Sequence, residues 1–164
     1  MSQIKSELLR KINSVIKKYN MELSGGYSFK VMNLMLHEDR IEIEIGYTRK
    51  FFEISEYVAS AVEQSNCDID SGECEKLFEK LYNKEIDRIN KEYAINIDAK
   101  LEFNDIVIEF HKLLCNCDIC DVGLIVNISM PLYDAVSVVQ IVRQVLVTVL
   151  QIILLYDATL PPIL

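Results

Sequence analysis

The chain has 164 residues, 51% of them hydrophobic and 26% charged, a balance that excludes a disordered polymer and is long enough to bury a core. A net charge of −8 and a pI near 4.8 argue against a nucleic-acid partner, whose phosphates need a basic footprint. The opening MSQIKSELLRK is charged and amphipathic, without the apolar centre of a secretory signal, so the expected location is cytoplasmic.

Residues 2–20 read as an amphipathic helix, with Ile4, Leu8, Ile12, Val15 and Tyr19 on one face and Lys17 and Lys18 at its C-terminal end. Gly25 and Gly26 break that period. Tyr27 to Leu36 reads as a strand, His37-Glu38-Asp39 as a turn, and Arg40 to Tyr47 as the returning strand. In the latter, Ile41, Ile43 and Ile45 oppose Glu42 and Glu44. Glu53 to Gln64 returns to the helical period, and Ser65–Ser71 forms a polar loop. Asp70 with Glu73 predicts a capping box opening a helix that runs to Tyr93. Ile95 to Phe103 alternates as a strand, Asn104–Asp105 predicts a two-residue turn, and Ile106, Ile108 and Phe110 mark the return. Val122 to Met130 adds another strand before Pro131.

Ile12, Val15, Lys17, Tyr19 and Leu23 align with Ile86, Ile89, Lys91, Tyr93 and Ile97 at a constant offset, and a hairpin follows each set. Two readings fit: an internal αββ repeat over 2–48 and 72–113, or two amphipathic helices obeying the same pattern. Either way, one α+β domain over 1–164 is expected. It has antiparallel sheet from two helix–hairpin halves, helices on one face, and a long, very apolar C-terminal helix.

That last helix, 134–156, carries Asp134, Ser137, Gln144, Thr148 and Gln151 on one stripe, with Gln140 beside it and Arg143 apart. The rest is Val, Ile, Leu or Ala, more apolar surface than a helix on a globular domain usually hides. It can be buried in the core, against another subunit, or in lipid, since the run is long enough to span a bilayer. Pro161 and Pro162 are expected to end it.

The sharpest chemical signal is His111-x3-Cys115-x-Cys117-x2-Cys120, thiolates and imidazole that could close a tetrahedral zinc site, although paired Cys-x2-Cys knuckles are missing. Other readings are a Cys117–Cys120 redox pair, a Cys67–Cys74 disulfide implying an oxidising compartment or a thermophilic cytosol, or mostly reduced, partly buried thiols. Five cysteines leave at least one thiol free. The loop from Asn66 to Gly72 fails as a calcium loop, because its glycine comes one position late and Leu77 stands where the bidentate carboxylate belongs. No nucleophile elbow, phosphate loop or His-Glu-x2-His motif is present, so no enzymatic activity is expected.

The element order, small size and acidic charge resemble secretion-chaperone-like α+β folds at the level of architecture, and that resemblance implies dimerisation through a terminal helix. The expected function is a non-enzymatic assembly or binding protein, a homo-oligomer and by default a dimer, with room for a further protein partner. Its subunit or core contact is expected on Val138, Val142, Val145, Val149 and Ile152. The alternatives are a membrane-associated protein with a C-terminal helical anchor, and a small zinc-stabilised protein using Cys115, Cys117, Cys120 and His111.

Overall fold

The computed structural model describes residues 2–23 and 25–159, with Ser2 and residues 156–159 described by their backbone alone. The fold is α+β: α1 (Ser2–Asn20), β1 (Tyr27–Leu36), β2 (Arg40–Phe51), α2 (Ile54–Gln64), α3 (Glu73–Tyr93), β3 (Ala99–Phe103), β4 (Ile106–Leu113), β5 (Cys120–Pro131) and α4 (Ala135–Thr159). The five strands form one antiparallel sheet in the order β1-β2-β5-β4-β3, so the two hairpins flank β5 from opposite sides. Pro161 and Pro162 lie outside the described residues.

The alternation in β2 and β5 decides the core. Ile41, Ile43, Ile45 and Tyr47 pack with Leu124, Val126, Ile128 and Met130, and this layer is closed by Leu8, Ile12, Val15 and Ile16 of α1 and by α4. A second cluster continues the same alternate positions with Cys120 and Val122, against Ile54 and Val58 of α2 and Ile89 of α3. At the junction the Arg49 guanidinium lies 4.7 Å from the centre of the Tyr93 ring and 5.4 Å from that of Phe51, cation–π contacts that cover a charge between two apolar regions.

β5 crosses the sheet centre because Gly123 lets it. A Cβ there would sit 2.3 Å from the Tyr47 carbonyl oxygen, at a φ of 152° that side chains rarely adopt. Asn20 ties α1 to β1: its amide donates to the Phe29 carbonyl at 2.9 Å, and its side-chain oxygen accepts the Phe29 N–H at 2.8 Å.

Three local expectations need correction. The third strand begins at Ala99, not Ile95, because the Ile95 N–H is drawn to the Gly123 carbonyl at 3.1 Å and its side chain is buried in the core. All five residues of β3 are exposed, as befits a short edge strand. The capping box does not form either. Gly72 precedes α3 at a φ of 78°, Glu73 accepts the Asp68 N–H at 3.2 Å, and the Asp70 N–H turns back to Asp68 at 3.0 Å. Finally, α4 continues to Thr159, one turn beyond Tyr156. The Asn104–Asp105 turn is as expected, with both residues at positive φ.

Candidate functional site

The cysteine-rich loop is built as a brace. Cys115 and Cys120 are buried and joined in a disulfide, so the expected ligand set Cys115, Cys117, Cys120 and His111 loses two of its thiolates. Cys117 is free and exposed, its thiol donating to the Ile119 carbonyl at 2.9 Å. His111, on β4, faces Asp98 at 3.6 Å and Glu109 at 3.2 Å. Among the described residues no three His, Cys, Asp or Glu side chains are grouped to hold a metal. The Cys67–Cys74 disulfide closes the loop between α2 and α3, so the reading of mostly reduced thiols is replaced by two disulfides and one thiol.

The loop's neighbours are mechanical. Asn90 grips Cys115 through both of its polar atoms, and Asp118 reaches the start of α2. Burial, with help from the charges of Asp118 and Cys117, raises the pKa of the Tyr82 phenol beside it. Glu56, by hydrogen bond and by charge, raises that of Glu53.

The sheet's other alternate set is polar. Across β1, β2, β5 and β4 the register aligns Asn33, Glu44, Asn127 and Glu109 in one row, with Glu42 and Ser129 in the next. They line a shallow depression of about 340 Å³. Two carboxylates flanking an amide on an open sheet are a solvated face by default.

The helix layer is different. Of the residues expected at a subunit interface, Val138, Val142, Val145 and Val149 are buried in the chain's own core beside Leu146, and Ile152 is half-buried against it. Burial of five such side chains is worth on the order of 10 kcal/mol, comparable with the whole stability of a small domain. α4 is therefore part of the fold. Yet most of its apolar length is not buried, and Ala135–Leu155 is long and apolar enough to cross a membrane. Val136, Val147, Leu154 and Leu155 remain exposed.

Beside that uncovered face runs a groove of about 470 Å³ between α1 and α4. Arg10, Lys11, Lys18 and Arg143 line it with Val15, Val136 and Val139, and no carboxylate contributes. The two helices hold six cations against Glu7 and Asp157, a net +4, so the other residues carry −12 of the chain's −8. Glu7 pairs with Arg10 at 3.5 Å and Lys11 at 3.8 Å, whereas Lys18 and Arg143 have no ion-pair partner among the described residues. Glu22 lies near both in the adjoining depression.

No protein-family model, curated protein or solved structure gives a significant match to this chain. The basic groove escaped the sequence reading because its cations come from two segments more than a hundred residues apart. The one available signal was the excess of Lys and Arg in residues 2–20 of an otherwise acidic chain.

Proposed function

We propose that this chain is a non-enzymatic, peripheral membrane-binding protein that lies on an anionic lipid surface through the outer face of its α1–α4 layer. The observation that carries the reading is the coincidence of exposed apolar side chains on α4 with a four-cation groove that lacks any carboxylate. An interfacial helix binds by sinking apolar residues to the headgroup level while cations meet anionic lipid. Each cation near such a surface contributes about 1 kcal/mol, so four supply about 4 kcal/mol beyond the apolar term. The polar sheet face, with Glu42, Glu44 and Glu109, would point away from the lipid. A detachable anchor on an independent head is disfavoured, because α4 supplies five core residues.

Cytoplasmic leaflets carry much of the anionic lipid. A cytoplasmic location with two disulfides then calls for a cytosol of the hyperthermophile kind, while an oxidising compartment is the alternative. The test is co-sedimentation with vesicles. Binding to phosphatidylcholine vesicles containing phosphatidylglycerol should be strong at low salt and weaken as salt rises. Equal binding to neutral vesicles would count against the reading.

A homo-oligomer is the second reading, favoured by Val147, Leu154 and Leu155 in the second half of α4. An isologous contact over the whole layer would press two net-positive surfaces together. A contact confined to the second half of α4, where Asp157 is the one charged residue, avoids the repulsion. Light scattering in the absence of lipid separates the two: a monomer supports the lipid reading, and a dimer broken by Val147→Glu supports this one.

A further inference from the structure

At the N-terminal end of the same layer, α1, the end of β1 and the β5–α4 connection enclose a second groove of about 620 Å³, within the range of small-molecule sites. Its walls are Ile4, Leu8, Leu36, Ile41, Leu132 and Tyr133, so most of the surface is hydrocarbon or ring. Lys11 and Ala135 line this groove and the basic one alike, so the two adjoin. The polar groups are placed unevenly. The α1 side holds Lys11 and Glu7, which pair at 3.8 Å, and beyond Lys11 lie Arg10, Lys18 and Arg143 of the basic groove. The far rim holds Glu38 and a His37 bonded to Glu42 at 2.9 Å. An apolar trough that adjoins the four-cation groove at Lys11 and ends at Glu38 fits a molecule that is hydrocarbon along its length and anionic at one tip.

We propose that this groove binds a free single-chain amphiphile with an anionic head, its chain against Leu8, Leu36, Ile41 and Leu132 and its head towards Lys11 and Arg10. The inference rests on the lipid reading of the helix layer and assigns that layer a discrete ligand. A neutral chain of the same length would gain the apolar contacts and lose the cations. A dianionic or bulky polar ligand would find too few donors.

The test is titration of the full chain, free of lipid and detergent, with the fluorescent fatty acid cis-parinaric acid, followed by displacement. Saturable binding is expected, with palmitate displacing the probe about tenfold better than hexadecanol, the difference one or two cations supply. Leu132→Arg, at a half-exposed position that should tolerate the change, is expected to weaken probe binding about tenfold. Lys11→Glu is expected to abolish the preference for palmitate over hexadecanol while the chain stays folded by circular dichroism. Absence of saturable binding, binding seen only when vesicles are added, or a preference that survives Lys11→Glu would each overturn the proposal. Vesicle binding by a chain that ignores the probe would overturn the groove and leave the layer reading standing. Probe binding without vesicle binding would do the reverse.

Discussion

The carboxylate of Asp118 accepts both the backbone N–H of Ser55 at 2.6 Å and its hydroxyl at 2.9 Å, across 63 residues of sequence. α2 starts after Glu53 in a left-handed conformation with no side-chain cap of its own, so this distant aspartate satisfies the helix end. The cysteine loop thereby becomes the clamp on α2. Asp118→Ala should cost about 1 kcal/mol, and hydrogen exchange should rise first in the opening turn of α2. Unchanged protection there would show that the contact carries no weight.

Both disulfides close short loops, and each is expected to stabilise the fold by about 2 kcal/mol through the unfolded chain. A thiol assay on the denatured, unreduced chain should find one thiol, Cys117, and reduction should release all five. Reduction should also lower the melting temperature. Loss of the Cys115–Cys120 bond should loosen Asp118 and α2 before the α1–α4 layer, because Cys115 and Cys120 belong to the smaller core cluster.

Val142 is fully buried between the sheet and α1. Val142→Glu would place an unpaired carboxylate in that core at a cost of about 4 kcal/mol or more. The expected result is loss of cooperative unfolding, and truncation at Met130 should have the same effect. A truncated chain that melts cooperatively would mean the first five strands fold without α4.

Asp134 accepts the Ser137 N–H at 2.8 Å at the start of α4, and this hydrogen bond lowers its pKa below the ordinary 3.8. A lowered carboxylate pKa contributes stability above its unfolded value and loses it as pH falls through the folded value. Asp134→Ala should therefore melt earlier than the parent at neutral pH, and the gap should narrow as the pH falls below the ordinary carboxylate value and through the lowered one. A gap independent of pH would point to the neutral hydrogen bond alone.

Much of the fold was legible because periodicity was clean: Ile41, Ile43 and Ile45 announce one sheet face, and Asn104–Asp105 announces a hairpin. The alternation Ile95 to Phe103 misled, since Ile95 serves the core from outside the strand while Ala99, Leu101 and Phe103 lie on an exposed edge. The apolar seam Val138–Val149 announces only that something must cover it. That α1 and the sheet cover it depends on long-range packing that no local pattern carries. The grooves were illegible for the same reason, because Lys11 and Lys18 come to line one groove with Ala135 and Arg143 only once α1 and α4 lie side by side.

The most direct test of the account is co-sedimentation of the parent chain and a Lys18→Glu, Arg143→Glu double variant with phosphatidylglycerol-containing vesicles. Both positions are exposed, so the variant should fold and melt as the parent does. Reversing two cations should weaken binding by at least about a hundredfold at low salt. Equal binding by parent and variant would contradict the assignment of the α1–α4 layer as the lipid-facing surface.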